Sequence, residues 1–277
     1  MALLSLEGVI SDIRQLEELA GIKSPLHQLD PRAKLLVTLL FIVLVISWER
    51  YAVAALLPFF LYPLVMTLSA ELPLSVVLKR VALVLPFVLL LGGANLFFDR
   101  TPVFVGNWVC QAGWFSLLSL VLRAVLTIAA AVILIATTGF HDVCHALQRF
   151  GMPQALVTQL QLMYRYLFVL AEEAAMTARA RRLRSFGNKG MEWRPFAALL
   201  AHLLLRSWER AERIHSAMLA RGGGWQIRQG KGWHFGRREV LFVSAWGGGL
   251  VLLRLVSVPH LAGELLTRLL PVSGRLL

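Results

Sequence analysis

The sequence predicts an all-α integral membrane protein, with about five transmembrane helices and two long cytoplasmic helices. Three observations predict it. Of 277 residues, 57% are hydrophobic and 16% charged, against roughly 45–50% and 25% in soluble domains, and the mean hydropathy is +0.67. Apolar runs recur near the length of roughly 20 residues that a helix needs to cross the hydrocarbon core. The charges that remain are mostly basic, net +12, so their placement reports topology, because Lys and Arg accumulate in short cytoplasmic loops.

Residues 1–24 carry Glu7, Asp12, Glu17 and Glu18 where a signal peptide has a basic start and an unbroken apolar core. They are expected to form an amphipathic helix on the membrane surface. Residues 25–153 hold four spans. Segments 33–47 and 51–69 read as a tight hairpin around Trp48, Glu49 and Arg50; 81–98 and 116–138 are the third and fourth. Pro58, Pro63 and Pro86 inside them imply kinks rather than breaks. The fifth span, 240–256, opens the segment 239–277. With the N-terminus inside, Arg14, Lys23, Arg32, Lys34, Lys79 and Arg80 fall on the cytoplasmic side, against Arg50 and Arg100 opposite. The tail beyond the fifth span, with Arg268 and Arg275, then lies outside.

Residues 154–238 form a cytoplasmic block, and 14 of the 28 Lys and Arg residues fall between 179 and 238. Segment 154–185 has no Pro or Gly and consists largely of good helix formers, so it reads as one long helix, with the glycine of FGNKG just past its end. Segment 192–221 reads as a second, with Pro195 in its first turn and Glu209 four residues before Arg213 for an ion pair. The two helices finish alike, in Leu183-Arg184-Ser185 and Ala220-Arg221-Gly222. An arginine in a last turn complements the helix dipole; projecting past the end, it offers a planar fork of donors to a carboxylate or carbonyl on a partner. Ser185 and Gly222 let a second backbone approach. A plain C-cap has the same composition, and repetition on consecutive helices favours docking.

In SPLHQLDPRAKLL (24–36), Asp30 is expected to cap the first span, with Pro31 at its first position and with Arg32 and Lys34 snorkelling to headgroups. Arg123 is expected to snorkel from the entry end of its span, with a subunit contact as the alternative. His141 and His145 in HDVCH have the spacing of a zinc-binding H-E-x-x-H helix, which makes an intramembrane metalloprotease the competing class. Asp142 is one methylene short of the glutamate base and no third ligand follows, so a structural pair is favoured over a site for a transported metal. TARARRLR (177–184) lacks the interleaved aromatics of nucleic-acid binders, and anionic lipid headgroups are its expected contact. Cys110 and Cys144 form no disulfide or zinc pattern. The sequence contains no G-x-x-x-x-G-K-[ST] phosphate loop, so the chain is expected to be non-catalytic and not to hydrolyse ATP itself.

Four stretches carry a family resemblance: LDPRAKLL (29–36), TTGFHDVCHALQRFGMP (137–153), RYLFVLAEEA (165–174) and the two arginine endings. Over about 25–256 the chain resembles the transmembrane T component of energy-coupling factor (ECF) transporters, the EcfT/CbiQ-type family, and most of all its cobalt- and nickel-uptake members. Ala220-Arg221-Gly222 matches the family's Ala-Arg-Gly signature outright; Leu183 and Ser185 depart from it around Arg184. The resemblance implies coupling helices whose arginines dock into two ABC-type ATPase subunits, which hold ATP and Mg, while this chain binds no cofactor or metal. A substrate-binding membrane S component, with or without a small accessory membrane subunit, would rest on apolar stretches such as 163–170 and 199–205. The implied setting is the bacterial inner membrane and cobalt uptake for cobalamin biosynthesis, with nickel or a vitamin of the biotin or riboflavin type as alternative substrates.

Overall fold

The computed structural model describes residues 15, 17–21, 24, 26–49, 53–98, 102–105, 108–184, 193–222 and 236–255. Most of the expected N-terminal surface helix and Ser185 lie outside them. The chain divides into two compact units, Leu19–Gly139 with Trp233–Leu277, and Met1–Glu18 with Phe140–Gly232.

The first unit starts with α1, Pro31–Ile46. Its beginning is dictated locally: the Asp30 carboxylate accepts from the Arg32 N–H at 2.9 Å, and Pro31 occupies a position that needs no donor. The expected second span is not one helix. It is divided into α2 (Val53–Leu56), a 3-10 turn (Leu57–Phe60) and α3 (Leu61–Ser69), because Pro58 and Pro63 lack the N–H groups that an uninterrupted ladder needs. α4 runs Leu74–Phe98 with Pro86 inside it, so it takes in Lys79 and Arg80 and starts earlier than expected. α5 is Ala112–Thr138 and α9 is Arg237–Leu255. Leu74–Gly93 and Gly113–Thr138 are long and apolar enough to cross a bilayer, and Val53–Ser69 is a shorter apolar stretch.

Beside the helices stands one short hairpin that the sequence reading did not include. Pro102–Val105 (β1) and Trp108–Gln111 (β2) pair antiparallel, with Val103 opposite Cys110. These are short β-branched and aromatic runs separated by Gly106-Asn107, a hairpin dipeptide.

α5 packs against α1, α2, α3 and α4, and α9 packs against α1. Phe41 stacks on Tyr62 (4.4 Å between centroids) and Trp246 meets Tyr62 edge-on at 5.1 Å. The Tyr62 hydroxyl is hydrogen-bonded to Thr38 at 2.8 Å, which satisfies the polar end of a buried ring. Leu126 is fully buried on α5.

Two charges expected at headgroups are used inside the protein. Lys34 is only 2% exposed, and its Nζ donates to the Thr137 carbonyl at 2.9 Å. It points from the first turn of α1 to the last turn of α5, where an unpaired carbonyl and a cation suit each other. Arg123 donates to the Glu49 carbonyl, and Arg254 donates to the Ser47 carbonyl at 3.1 Å while lying 3.9 Å over the Trp48 ring. Both arginines thus serve the carbonyl end of α1. Near its start, the His27 Nε2–H donates to the Leu19 carbonyl and Nδ1 accepts from Ser24. Burial, then the Lys34 charge, push the His27 pKa down.

The second unit contains α6 (Phe140–Arg149), α7 (Gln154–Arg184) and α8 (Trp193–Ala220). α6 is closed by a full Schellman pattern: the Gly151 N–H bonds to Gln148 O and the Met152 N–H to Leu147 O. Gly151 has φ 102, so glycine is required there, and Pro153 then prevents continuation. The Phe140 ring stacks on Tyr164 at 4.3 Å, fixing α6 against α7.

Candidate coupling site

α7 ends in Arg184, whereas α8 ends at Ala220 and Arg221 stands in the turn that follows. Their bounds fall one residue inside the expected ends at the C-terminal side, and both tips are exposed. At the α8 tip the Arg221 N–H bonds to the Ala217 and Met218 carbonyls and the Gly222 N–H to the Leu219 carbonyl. Gly222 has φ 101, and among the described residues, its chain neighbours aside, no atom lies within 4 Å of where a Cβ would stand. Glycine is therefore required by the backbone turn rather than by crowding within the chain. The turn stops the helix at Ala220 and leaves Arg221 exposed at the tip. At the α7 tip, Leu183 is 77% exposed and Arg184 is exposed beside it.

α7 and α8 are held to each other by a group that the motifs did not point to. Glu173 on α7 is 8% exposed and accepts from Arg206 (2.9 Å) and Arg210 (2.8 Å) on α8, one carboxylate oxygen to each. The Arg206 hydrogen bond, helped by the charges of both arginines and opposed by burial, holds the carboxyl below the usual glutamate range. Arg206 and Arg210, spaced i and i+4, lie on one face of α8, and the only sequence trace of their partner is the pair Glu172-Glu173 in an otherwise alanine-rich stretch. Among the described residues the ion pairs of α8 run to α7, from Arg206 and Arg210 to Glu173, and the expected Glu209–Arg213 pair is not among them.

Alongside this group lies a cleft of about 400 Å³ between α7 and α8, lined by Leu162, Met163, Tyr166, Ile214 and Met218 among others. The apolar stretches 163–170 and 199–205 contribute exposed Met163, Leu167, Leu200, Leu204 and Leu205. A helix face of this composition is out of place in water.

The other expected residues lie elsewhere. Asp30 and Pro31 cap α1, and Arg32 Nε sits 3.8 Å from Asp30. His141 lies 3.9 Å from Glu17 and edge-on to Tyr164, while His145 Nδ1 is buried with no hydrogen-bond partner among the described residues. Burial, then the Glu17 charge and hydrogen bond, push the Tyr164 hydroxyl up to about 12. Among the described residues no three His, Cys, Asp or Glu side chains group as metal ligands.

Apolar helices long enough to cross a bilayer, carried in one chain with a pair of helices that have arginine at their tips, fit a membrane protein. The family model described as cobalt transport protein, CbiQ, matches residues 22–230, and the chain belongs to that family, the EcfT/CbiQ type. Three relatives bear on it. A cobalt transport protein CbiQ of Rhodobacter capsulatus is 33% identical over 160 residues, 57% of this chain and 64% of that protein. An energy-coupling factor transporter transmembrane protein EcfT of Listeria innocua is 26% identical over 227 residues, 75% of this chain and 82% of that protein. A nickel permease LarQ of Lactiplantibacillus plantarum is 29% identical over 133 residues, 43% and 49% of the two chains.

Proposed function

We propose that this chain is the T subunit of an ECF-type importer and that it transmits ATP-driven motion through Arg184 and Arg221 to a substrate-binding S component. The observation that carries the reading is the α8 tip, where a left-handed Gly222 ends the helix immediately after an exposed Arg221. A guanidinium there reaches a groove on a partner with five donors in a fixed fork. The departures at Leu183 and Ser185 make the α8 tip the stronger of the two contacts. The partners are two ABC-type ATPase subunits, which hold ATP and Mg, and an S component seated on the exposed apolar faces of α7 and α8. Buried apolar area supplies the grip at roughly 25 cal/mol per Å², and the arginines supply register.

The proposed setting is the plasma membrane, crossed five times, with the N-terminus and the helix pair cytoplasmic as the basic residues suggest. α1, at 16 residues, covers roughly 24 Å of a hydrocarbon core of about 30 Å, which the two arginines at its carbonyl end help to accommodate. Cobalt ion is the proposed cargo, supported by the family's description and the Rhodobacter relative. Nickel is the second reading, supported by the Lactiplantibacillus relative. Arg221→Glu tests the reading: the protein is expected to insert normally and uptake to be abolished. Uptake at the wild-type rate would refute the docking role.

A further inference from the structure

The contact between α7 and α8 is built unlike the rest of the molecule. A carboxylate almost removed from water is costly to bury, and Glu173 offsets this with one charge-assisted hydrogen bond from each of two guanidinium groups. Around it the helices share little apolar core. Among the described residues of α7 and α8 the fully buried apolar side chains are Val157 and Ala178, and beside Arg210 the two helices separate into the 400 Å³ cleft. That cleft is lined by α7 residues preceding Glu173 and α8 residues following Arg206. Beyond the ion pair, α8 therefore runs back along the first half of α7, and Arg184 and Arg221 leave the contact in opposite directions. Glu173 precedes Arg184 by eleven residues, and Arg210 precedes Arg221 by eleven. Each arm is roughly 16 Å long at the helical rise.

We infer that Glu173, Arg206 and Arg210 form the pivot of the helix pair, a positioning group midway between the two arginine tips that makes α7 and α8 turn as one body. The inference rests on the coupling role proposed above. An apolar contact of comparable strength would slide; a bidentate ionic contact fixes both the crossing point and the rotation about it. Displacement of one tip is then delivered to the other arm at equal length, with the ionic group holding the crossing angle that the loosely packed cleft alone would not.

The test uses the complete complex purified from native membranes, with Cys110→Ser and Cys144→Ser as background and spin labels on Ala180→Cys and Leu219→Cys, exposed positions within about one turn of the tips. Label separation, ATP hydrolysis, and uptake of cobalt and nickel ions assayed separately are compared for wild type, Glu173→Ala and the milder Glu173→Gln. A single narrow separation is expected in wild type. Glu173→Ala should broaden it about twofold and lower uptake per ATP hydrolysed about tenfold, with Glu173→Gln between the two and complex assembly retained in both. Arg206→Gln with Arg210→Gln should reproduce the alanine result. A separation that stays narrow, or uptake that falls only in step with hydrolysis, would overturn the pivot. If the pivot variants are silent while Arg221→Glu still abolishes uptake, coupling stands and the pivot falls. If Arg221→Glu is also silent, the coupling role itself falls.

Discussion

The helices of the first unit bury Val37, Phe41, Leu56, Phe59, Tyr62 and Leu126 to 2% exposure or less, whereas over Phe140–Ala220 the buried apolar side chains among the described residues are Cys144, Ala146, Val157 and Ala178. The contrast separates two ways of holding helices together. In the first unit, shape and aromatic stacking do most of the work and the polar contacts finish helix ends: Asp30 at the start of α1, Lys34 at the end of α5, Arg254 at the end of α1. In the second, one ionic cluster holds two long helices whose large side chains face outward. The first unit is packed to keep its shape; the second leaves most of its large apolar side chains uncovered.

That contrast can be broken experimentally, starting with the largest effect. Phe41→Ala should lower unfolding stability by about 3–5 kcal/mol, whereas Leu204→Ala on exposed α8 should change it by no more than about 0.5 kcal/mol and instead weaken retention of the membrane partner. Thermal unfolding in detergent, with co-purification alongside, checks both; equal stability losses would erase the distinction. Lys34→Ala leaves the Thr137 carbonyl without its donor and should cost about 1–3 kcal/mol, read as a lower unfolding midpoint. A lysine that merely snorkelled would give almost no change.

Within the second unit, Gly222→Ala forces a Cβ into a left-handed backbone at about 1–2 kcal/mol. The strain is expected to appear as weaker ATPase retention together with a slightly lower unfolding midpoint, and Gly222→Asn, which tolerates that region better, should fall between. Acid addresses the ionic cluster. Because the Glu173 pKa is lowered in the folded protein, its stabilisation is full above the ordinary glutamate value near 4.3 and fades as pH falls through the lowered one. Arg206 and Arg210 stay charged throughout, so the label separation should stay narrow from neutral pH down to the ordinary glutamate range and broaden only in more acid solution than that. The smallest effect is expected from His141→Ala, which removes an exposed ring beside Glu17 and Tyr164 and should leave uptake and bound metal content unaltered.

Much of this was legible in the sequence because it depends on local chemistry. The Asp30-Pro31 start of α1, the glycine stop at Gly222 and both long helices follow from residue type and spacing alone. What was hidden depends on pairing at a distance. Lys34 reads as a headgroup anchor until Thr137, 103 residues away, is seen to accept from it. Glu173 reads as one of two acidic residues on a helix surface until α8 returns with two arginines one turn apart. The second span reads as a single run because hydropathy does not register that Pro58 and Pro63 together replace α-helical turns by a 3-10 turn.

The central claim is that Arg184 and Arg221 engage an ATPase, and its most direct test is gentle purification of the tagged chain from native membranes beside the Arg184→Glu, Arg221→Glu variant, with mass spectrometry of what co-purifies. Wild type should bring down an ATPase and a small membrane partner, and the variant should lose the ATPase while keeping the membrane partner. An ATPase retained by the variant, or a wild-type chain recovered alone, would contradict the coupling mechanism.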